Sequence, residues 1–174
     1  MKQPLKFSAF VFTLAAIFII SPSAFSQSAI KTADISIARG KSRLVGLDCS
    51  QQSLVLAFGK PTQMKNYNFE MDNKMGNAVL YNGANFYFED NKLIGFEISK
   101  PGFNLTFGHP KLTSTIGRSI ASLPPGFTTK CRGNNCAKVY DLKNTDNSTT
   151  DKFLEYQYSN GSSKLTMKII LGEY

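Results

Sequence analysis

The sequence predicts an α+β fold of two related β-α-β-β-β halves, with an antiparallel sheet packed on short helices. Three observations predict it. One strongly signalled helix lies between residues 49 and 58, and alternating apolar segments follow it. A second, weaker helical spacing over residues 115–123 is again followed by alternating segments. Gly40 with Leu44 and Gly108 with Leu112 repeat the same spacing at corresponding points of the two halves. The expected organisation is a signal peptide over 1–26, a flexible leader over 27–34, and halves over 35–100 and 101–174.

Lys2 and Lys6 precede an apolar run from Phe7 to Ile20, Ser21-Pro22 breaks it, and Ala24-Phe25-Ser26 supplies small residues around a cleavage point. That is the layout of a secretory signal peptide. The run falls short of the roughly 20 residues that span a bilayer, so no stable membrane span is expected. The lysine-led form points to a bacterial periplasmic or secreted protein.

Ile35 and Ile37 alternate with polar residues as a short strand. Asp48 then caps the first helix in an Asp-x-x-Gln box with Gln51. Leu54, Val55 and Phe58 share a face, Gly59 supplies the left-handed stop, and Pro61 prevents continuation. After a polar stretch, strands are expected over Ala78–Tyr81, Asn85–Phe88 and Leu93–Ser99, the last two joined by the turn Glu89-Asp90-Asn91-Lys92. Phe86 and Phe88 share one face, as do Ile94, Phe96 and Ile98 on the partner.

Phe103, Leu105 and Phe107 open the second half as a strand. Ile116, Ile120 and Leu123 set the helix of residues 115–123, which Gly117 weakens and Pro124-Pro125-Gly126 ends. Ala137–Leu142 is a strand, and residues 143–151 lack any apolar side chain and form an exposed loop. Phe153–Tyr158 and Lys164–Leu171 close the chain as a hairpin about Asn160-Gly161.

The odd cysteine count matters in an oxidising compartment. Cys131 and Cys136 flank the turn-forming Arg-Gly-Asn-Asn between two strand-like segments, so they are expected to bridge, leaving Cys49 free or paired to another chain. On chain-entropy grounds so small a loop adds only about 2 kcal/mol. The full chain carries a net charge of +8, and loss of the signal peptide removes two lysines. In an exported protein that balance points to an anionic cell envelope or an acidic protein and away from nucleic acid. Scattered lysines can equally serve only to solvate the surface.

Catalytic signals are missing. The chain has a single histidine, His109, next to a proline, and no Gly-x-Ser-x-Gly, His-Glu-x-x-His or phosphate-cradling glycine loop. No metal, no cofactor and no enzymatic activity are expected, although a carboxylate pair drawn from Glu70, Glu97 or Glu155 stays open. Aromatic residues are plentiful instead, with 14 Phe and 7 Tyr. Phenylalanines fill a core. Tyrosines favour half-buried and interface positions, so Tyr67, Tyr81, Tyr87, Tyr156 and Tyr158 either present a sheet face to a partner or rim the core.

A helix ending in Phe58-Gly59-Lys60-Pro61, followed by the hairpin from Asn85 to Phe96 (NFYFEDNKLIGF), resembles one repeat of the β-lactamase-inhibitor-protein-like superfamily. That group includes the small outer-membrane lipoprotein of the barrel-assembly machinery, and the second half of this chain would be a second repeat. The resemblance implies consecutive antiparallel strands packed on helices, with a sheet face that binds protein. This chain lacks an anchoring cysteine, so lipid attachment is not implied. The expected function is an exported, non-catalytic protein-binding module, such as an inhibitor or immunity-type protein acting on an envelope or secreted protein. The alternative is a structural or assembly factor that touches anionic envelope surfaces.

Overall fold

The computed structural model describes residues 30–69, 74–108 and 112–173. The signal peptide, His109 and Glu70 therefore lie outside the described residues. Two antiparallel sheets account for most of what is described: strands make up 57% and helix 10%. The expected α+β class is thus corrected to a mostly-β fold, and sheet rather than helix supplies the main cover of the core.

A single turn of 3₁₀ helix (Thr32–Asp34) leads into β1 (Ile35–Arg39) and β2 (Val45–Gly46), followed by α1 (Gln51–Phe58). A meander follows, through β3 (Gln63–Phe69), β4 (Lys74–Tyr81), β5 (Ala84–Glu89) and β6 (Lys92–Ile98). The chain then repeats the order with β7 (Phe103–Phe107), β8 (Leu112–Ser114), a 3₁₀ turn (Ile120–Ser122) and a second meander. That meander comprises β9 (Thr128–Arg132), β10 (Asn135–Lys143), β11 (Thr149–Ser159) and β12 (Lys168–Glu173). The large sheet has the order β3-β4-β5-β6-β12-β11-β10-β9, and the small one β2-β1-β7-β8. Both orders are symmetric, about the β6–β12 and β1–β7 pairs, so the two meanders meet edge to edge and the two strand pairs meet above them.

Burial alternates along β5 and β11 of the large sheet. Ala84, Phe86 and Phe88 are buried while Asn85, Tyr87 and Glu89 between them are half-exposed. Leu154, Tyr156 and Tyr158 are likewise buried between half-exposed neighbours. One face is therefore covered and the other largely open, Ala78 and Val139 being the buried exceptions among its described side chains. The cover is the small sheet with α1: the Phe86 ring of β5 lies 5.8 Å from Phe58 of α1 and 5.7 Å from Phe103 of β7. Phe86 is fully buried, and truncating such a ring to alanine typically costs about 3–5 kcal/mol.

Several local expectations change. The first helix starts later than Cys49, because Ser50, not Asp48, is its cap: the Ser50 hydroxyl accepts from the Ser53 amide at 3.1 Å. Cys49 is held outside the helix, its carbonyl accepting from the Leu93 amide of β6. The stop is as expected, with Gly59 at φ +78° and its N–H donating to Val55 O. The helix expected over 115–123 is absent. Gly117 takes φ +90° and donates instead to Leu165 O at 2.7 Å, so only one 3₁₀ turn survives, capped by Ser119.

The polar stretch before residue 78 is in fact the β3–β4 hairpin, whose β3 edge is largely exposed and shows no apolar alternation. The closing strand begins only at Lys168. Residues 160–167 form an extended connection instead, with Leu165 buried and its amide donating to Arg118 O. Cys131 and Cys136 occupy directly opposed positions of β9 and β10, with Cα atoms 4.1 Å apart, and are bridged. Cys49 is free and buried.

Burial pushes the Cys49 thiol from 9.0 up to about 11, with the Asp48 charge adding to it, and raises the Tyr140 and Tyr156 phenols further. Between about pH 9 and 11 the unfolded chain therefore gives up protons that the folded chain keeps, and stability falls as pH rises. Thermal melts should show a flat Tm up to about pH 9 and a progressive decline above it. A Tm that stays constant to pH 11 contradicts the burial of these groups.

Candidate functional site

The open face of the large sheet is fixed by strand register. Antiparallel pairing places Lys65 opposite Ala78, Ala78 opposite Tyr87, and Tyr87 opposite Gly95. On the far side of the sheet centre, Gly172 stands opposite Phe153, and Phe153 opposite Asp141. Side chains alternate across a strand, so these residues project away from Phe86, Phe96 and Leu154, which fill the core.

Tyr67 and Tyr87 meet on this face, with ring centroids 4.8 Å apart at an interplanar angle of 49°. Beside them the two central strands present no side chain at adjoining positions, because Gly95 of β6 and Gly172 of β12 both fall there. A Cβ at Gly95 would stand 2.9 Å from the Leu171 carbonyl oxygen, and one at Gly172 would stand 2.7 Å from Cζ of Phe153. The Phe153 ring thus folds down over Gly172, an aromatic cover of the kind that stabilises a glycine within a sheet. The result is a lane floored by backbone, with Tyr87 beside its Gly95 end and Phe153 lying over its Gly172 end.

The adjacent row is polar and paired. Glu97 stands opposite Asn85 and Ile170, and Ile170 stands opposite Glu155. Lys168 bridges to Glu97 at 2.9 Å, and Gln157 Nε2 donates to Glu155 Oε1 at 2.7 Å. The Tyr87 phenol is raised, chiefly by its burial and then by the Glu97 charge. It stays protonated near neutral pH and offers a hydroxyl as donor. Farther along, Lys130, Arg132, Val139 and Phe153 line a depression of about 390 Å³. The face therefore combines flat aromatic surface with hydrogen-bonding and charged groups at its margins.

Only two of the five candidate tyrosines stand here. Tyr81 points into the core, its hydroxyl donating to Gly59 O at 2.9 Å and its ring facing the Arg39 guanidinium at 4.9 Å. Tyr156 is fully buried and shares a 2.9 Å hydrogen bond with Ser114 of the small sheet. Tyr158 lies on the same side, opposite the bridged Cys136. Tyr81 and Tyr156 tie the layers together, and Tyr158 adds to the core. Phe153, Gly95 and Gly172 were not among the sequence candidates. Phe153 precedes Leu154 in a strand whose even positions are buried, so strict alternation alone assigns it to the opposite side. Among the described residues no group of three His, Cys, Asp or Glu side chains is arranged to hold a metal ion. Glu97 and Glu155 lie two strands apart on the open face, engaged by Lys168 and Gln157 respectively.

The floor of the lane gives a sharp test. Gly95→Ala drives a methyl into backbone that cannot yield and should lower stability by about 1–3 kcal/mol in urea denaturation. Gly172→Ala meets only the tip of a ring that can turn aside, so its cost should be clearly smaller. Equal costs would mean that Phe153 does not lie where it is described.

No family model matches the chain, and neither does any curated protein. A solved structure of an extracellular protein containing a SCP domain, from Bacillus anthracis str. Ames, is similar at 12% identity and a TM-score of 0.42. The match covers 73% of this chain and 44% of that one, so the chain spans less than half the length of that protein. A likeness at this level assigns neither fold nor function.

Proposed function

We propose that the protein is an exported, non-catalytic binding module that engages another protein through the open face of its large sheet. The observation that carries this reading is the Tyr67–Tyr87 ring pair beside the glycine-floored lane. Aromatic surface left half-exposed on a sheet, next to groups able to donate and accept hydrogen bonds, has the composition of an interface centre. The rings are already held by the strands, so binding would order few additional side chains. An inhibitor or immunity-type role, blocking an envelope or secreted protein, is the form that this reading takes, in keeping with the superfamily resemblance of Phe58-Gly59-Lys60-Pro61 and the hairpin after it.

Export is supported by two independent features. Residues 1–26 have a signal-peptide layout, and the Cys131–Cys136 bridge belongs to an oxidising compartment. The bridge also fastens the exposed edge strand β9 to β10, which keeps that edge from fraying.

Tyr67→Ala and Tyr87→Ala remove rings that contribute little to the core, so both variants should keep the parental Tm within a few degrees. In pull-downs from envelope extract at moderate salt, a stoichiometric partner captured by the parent should be weakened about tenfold or more by either change. Capture undiminished in the double variant would remove the open face from consideration.

A further inference from the structure

We infer that one end of the molecule is an electrostatic docking surface for anionic phospholipid membrane. The strands of the large sheet run between two ends that differ in charge. At the end where β4 turns into β5, the connections contain Lys41, Arg43, Lys60, Lys100, Arg118 and Lys164, all exposed. None of these six forms an ion pair among the described residues, where the bridges join Lys74 to Glu89, Lys152 to Glu173 and Lys168 to Glu97. The connecting segments 39–44, 59–62, 82–83, 99–102, 115–123 and 160–167 hold no aspartate or glutamate at all. At the other end Asp34, Asp48, Asp90, Asp146, Asp151 and Glu173 stand among Lys31, Lys92, Lys143 and Lys152. The first end thus carries cations without acids, whereas the second mixes both signs.

These connections are one contiguous surface. The Gly40 amide donates to Gly102 O, Lys100 Nζ donates to Asn82 Oδ1, and Arg39 donates to Phe58 O just before Lys60. The Gly117 amide donates to Leu165 O, and Ser119 bridges to Lys164. Thr115 joins this group to β7 through Phe103 O. The six cations stand on five separate connections of the chain. Such an arrangement suits an extended array of phosphate headgroups with no fixed stereochemistry. Leu44 is 44% exposed beside Arg43 and supplies an apolar side chain that can enter the interface. Docked by this end, the strands stand upright on the membrane and the open face stays accessible from the side. The inference does not depend on that face binding a protein.

The test is co-sedimentation of the full chain with phosphatidylcholine vesicles, with and without phosphatidylglycerol. The triple variant Lys41→Glu/Arg43→Glu/Lys60→Glu is compared with Lys31→Glu/Lys92→Glu/Lys143→Glu, which changes net charge equally at the opposite end. The apolar run Phe7–Ile20 of the signal peptide is common to all forms, so the difference between variants reads the basic pole alone. The parent should favour the anionic vesicles in a salt-sensitive way. The first variant should lose about tenfold or more of that preference, the second should keep it, and circular dichroism should confirm that both are folded. Equal losses in the two variants would show a response to net charge without a docking surface and overturn the inference. So would a parent that prefers an acidic polypeptide such as polyglutamate and ignores the vesicles. Tyr67→Ala/Tyr87→Ala should leave vesicle binding intact, which separates this test from that of the open face.

Discussion

The contact between Phe86 of the large sheet and Phe103 of the small sheet, 5.7 Å between ring centroids, is the joint on which the rest depends. Phe58 and Tyr81 close around the same pair at 5.8 to 6.1 Å, so α1, both sheets and the end of β4 meet at one aromatic cluster. Arg39 reinforces it from outside, its guanidinium over the Tyr81 ring while it donates to Phe58 O. Desolvating several rings at one place yields more than area alone, because edge-to-face geometry adds to burial. The cluster joins elements far apart in sequence, and it draws every covering element to the same side of the large sheet.

One-sided cover has a structural consequence. Four short strands and an eight-residue helix can shield only one face of eight strands. The other face must be made tolerable to water, and it is, through the Lys168–Glu97 bridge, the Gln157–Glu155 hydrogen bond and paired glycines that carry no apolar side chain. Among the described side chains, Tyr67, Tyr87 and Phe153 are the aromatic exceptions on that face. Strand direction adds a second asymmetry, since meander turns alternate between the two ends, and the acidic connections fall at one pole while the other carries cations alone. A face and a pole at right angles to each other leave the molecule able to touch two surfaces at once.

Much of this was legible in particular residues. Glu89-Asp90-Asn91-Lys92 formed the expected turn, with Asp90 and Asn91 in the left-handed region. Gly59 ended the helix, and the Cys131–Cys136 bridge formed across its hairpin. The failures share a cause: tertiary hydrogen bonds outweighed local pattern. Ile116, Ile120 and Leu123 sit at helical spacing and are all buried, yet Gly117 and Arg118 bond to Leu165, which straightens the segment. Asp48 has the right chemistry for a cap, but Cys49 is committed to Leu93, so capping moves to Ser50. The five tyrosines could not be sorted by residue type, because phenols serve a core as readily as an interface. Parity sorts Tyr87 from Phe86, and Tyr156 from Phe153, but only once the buried side of each strand is known.

The central claim is that the large sheet is covered on one side only, with Tyr67 and Tyr87 on the uncovered side. Hydroxyl-radical footprinting of the free chain, read residue by residue by mass spectrometry, tests it directly. Tyr67, Tyr87 and Phe153 should be oxidised well before Phe86, Phe103 and Tyr156. If Tyr87 proves as protected as its strand neighbour Phe86, both faces of the sheet are covered and the account fails.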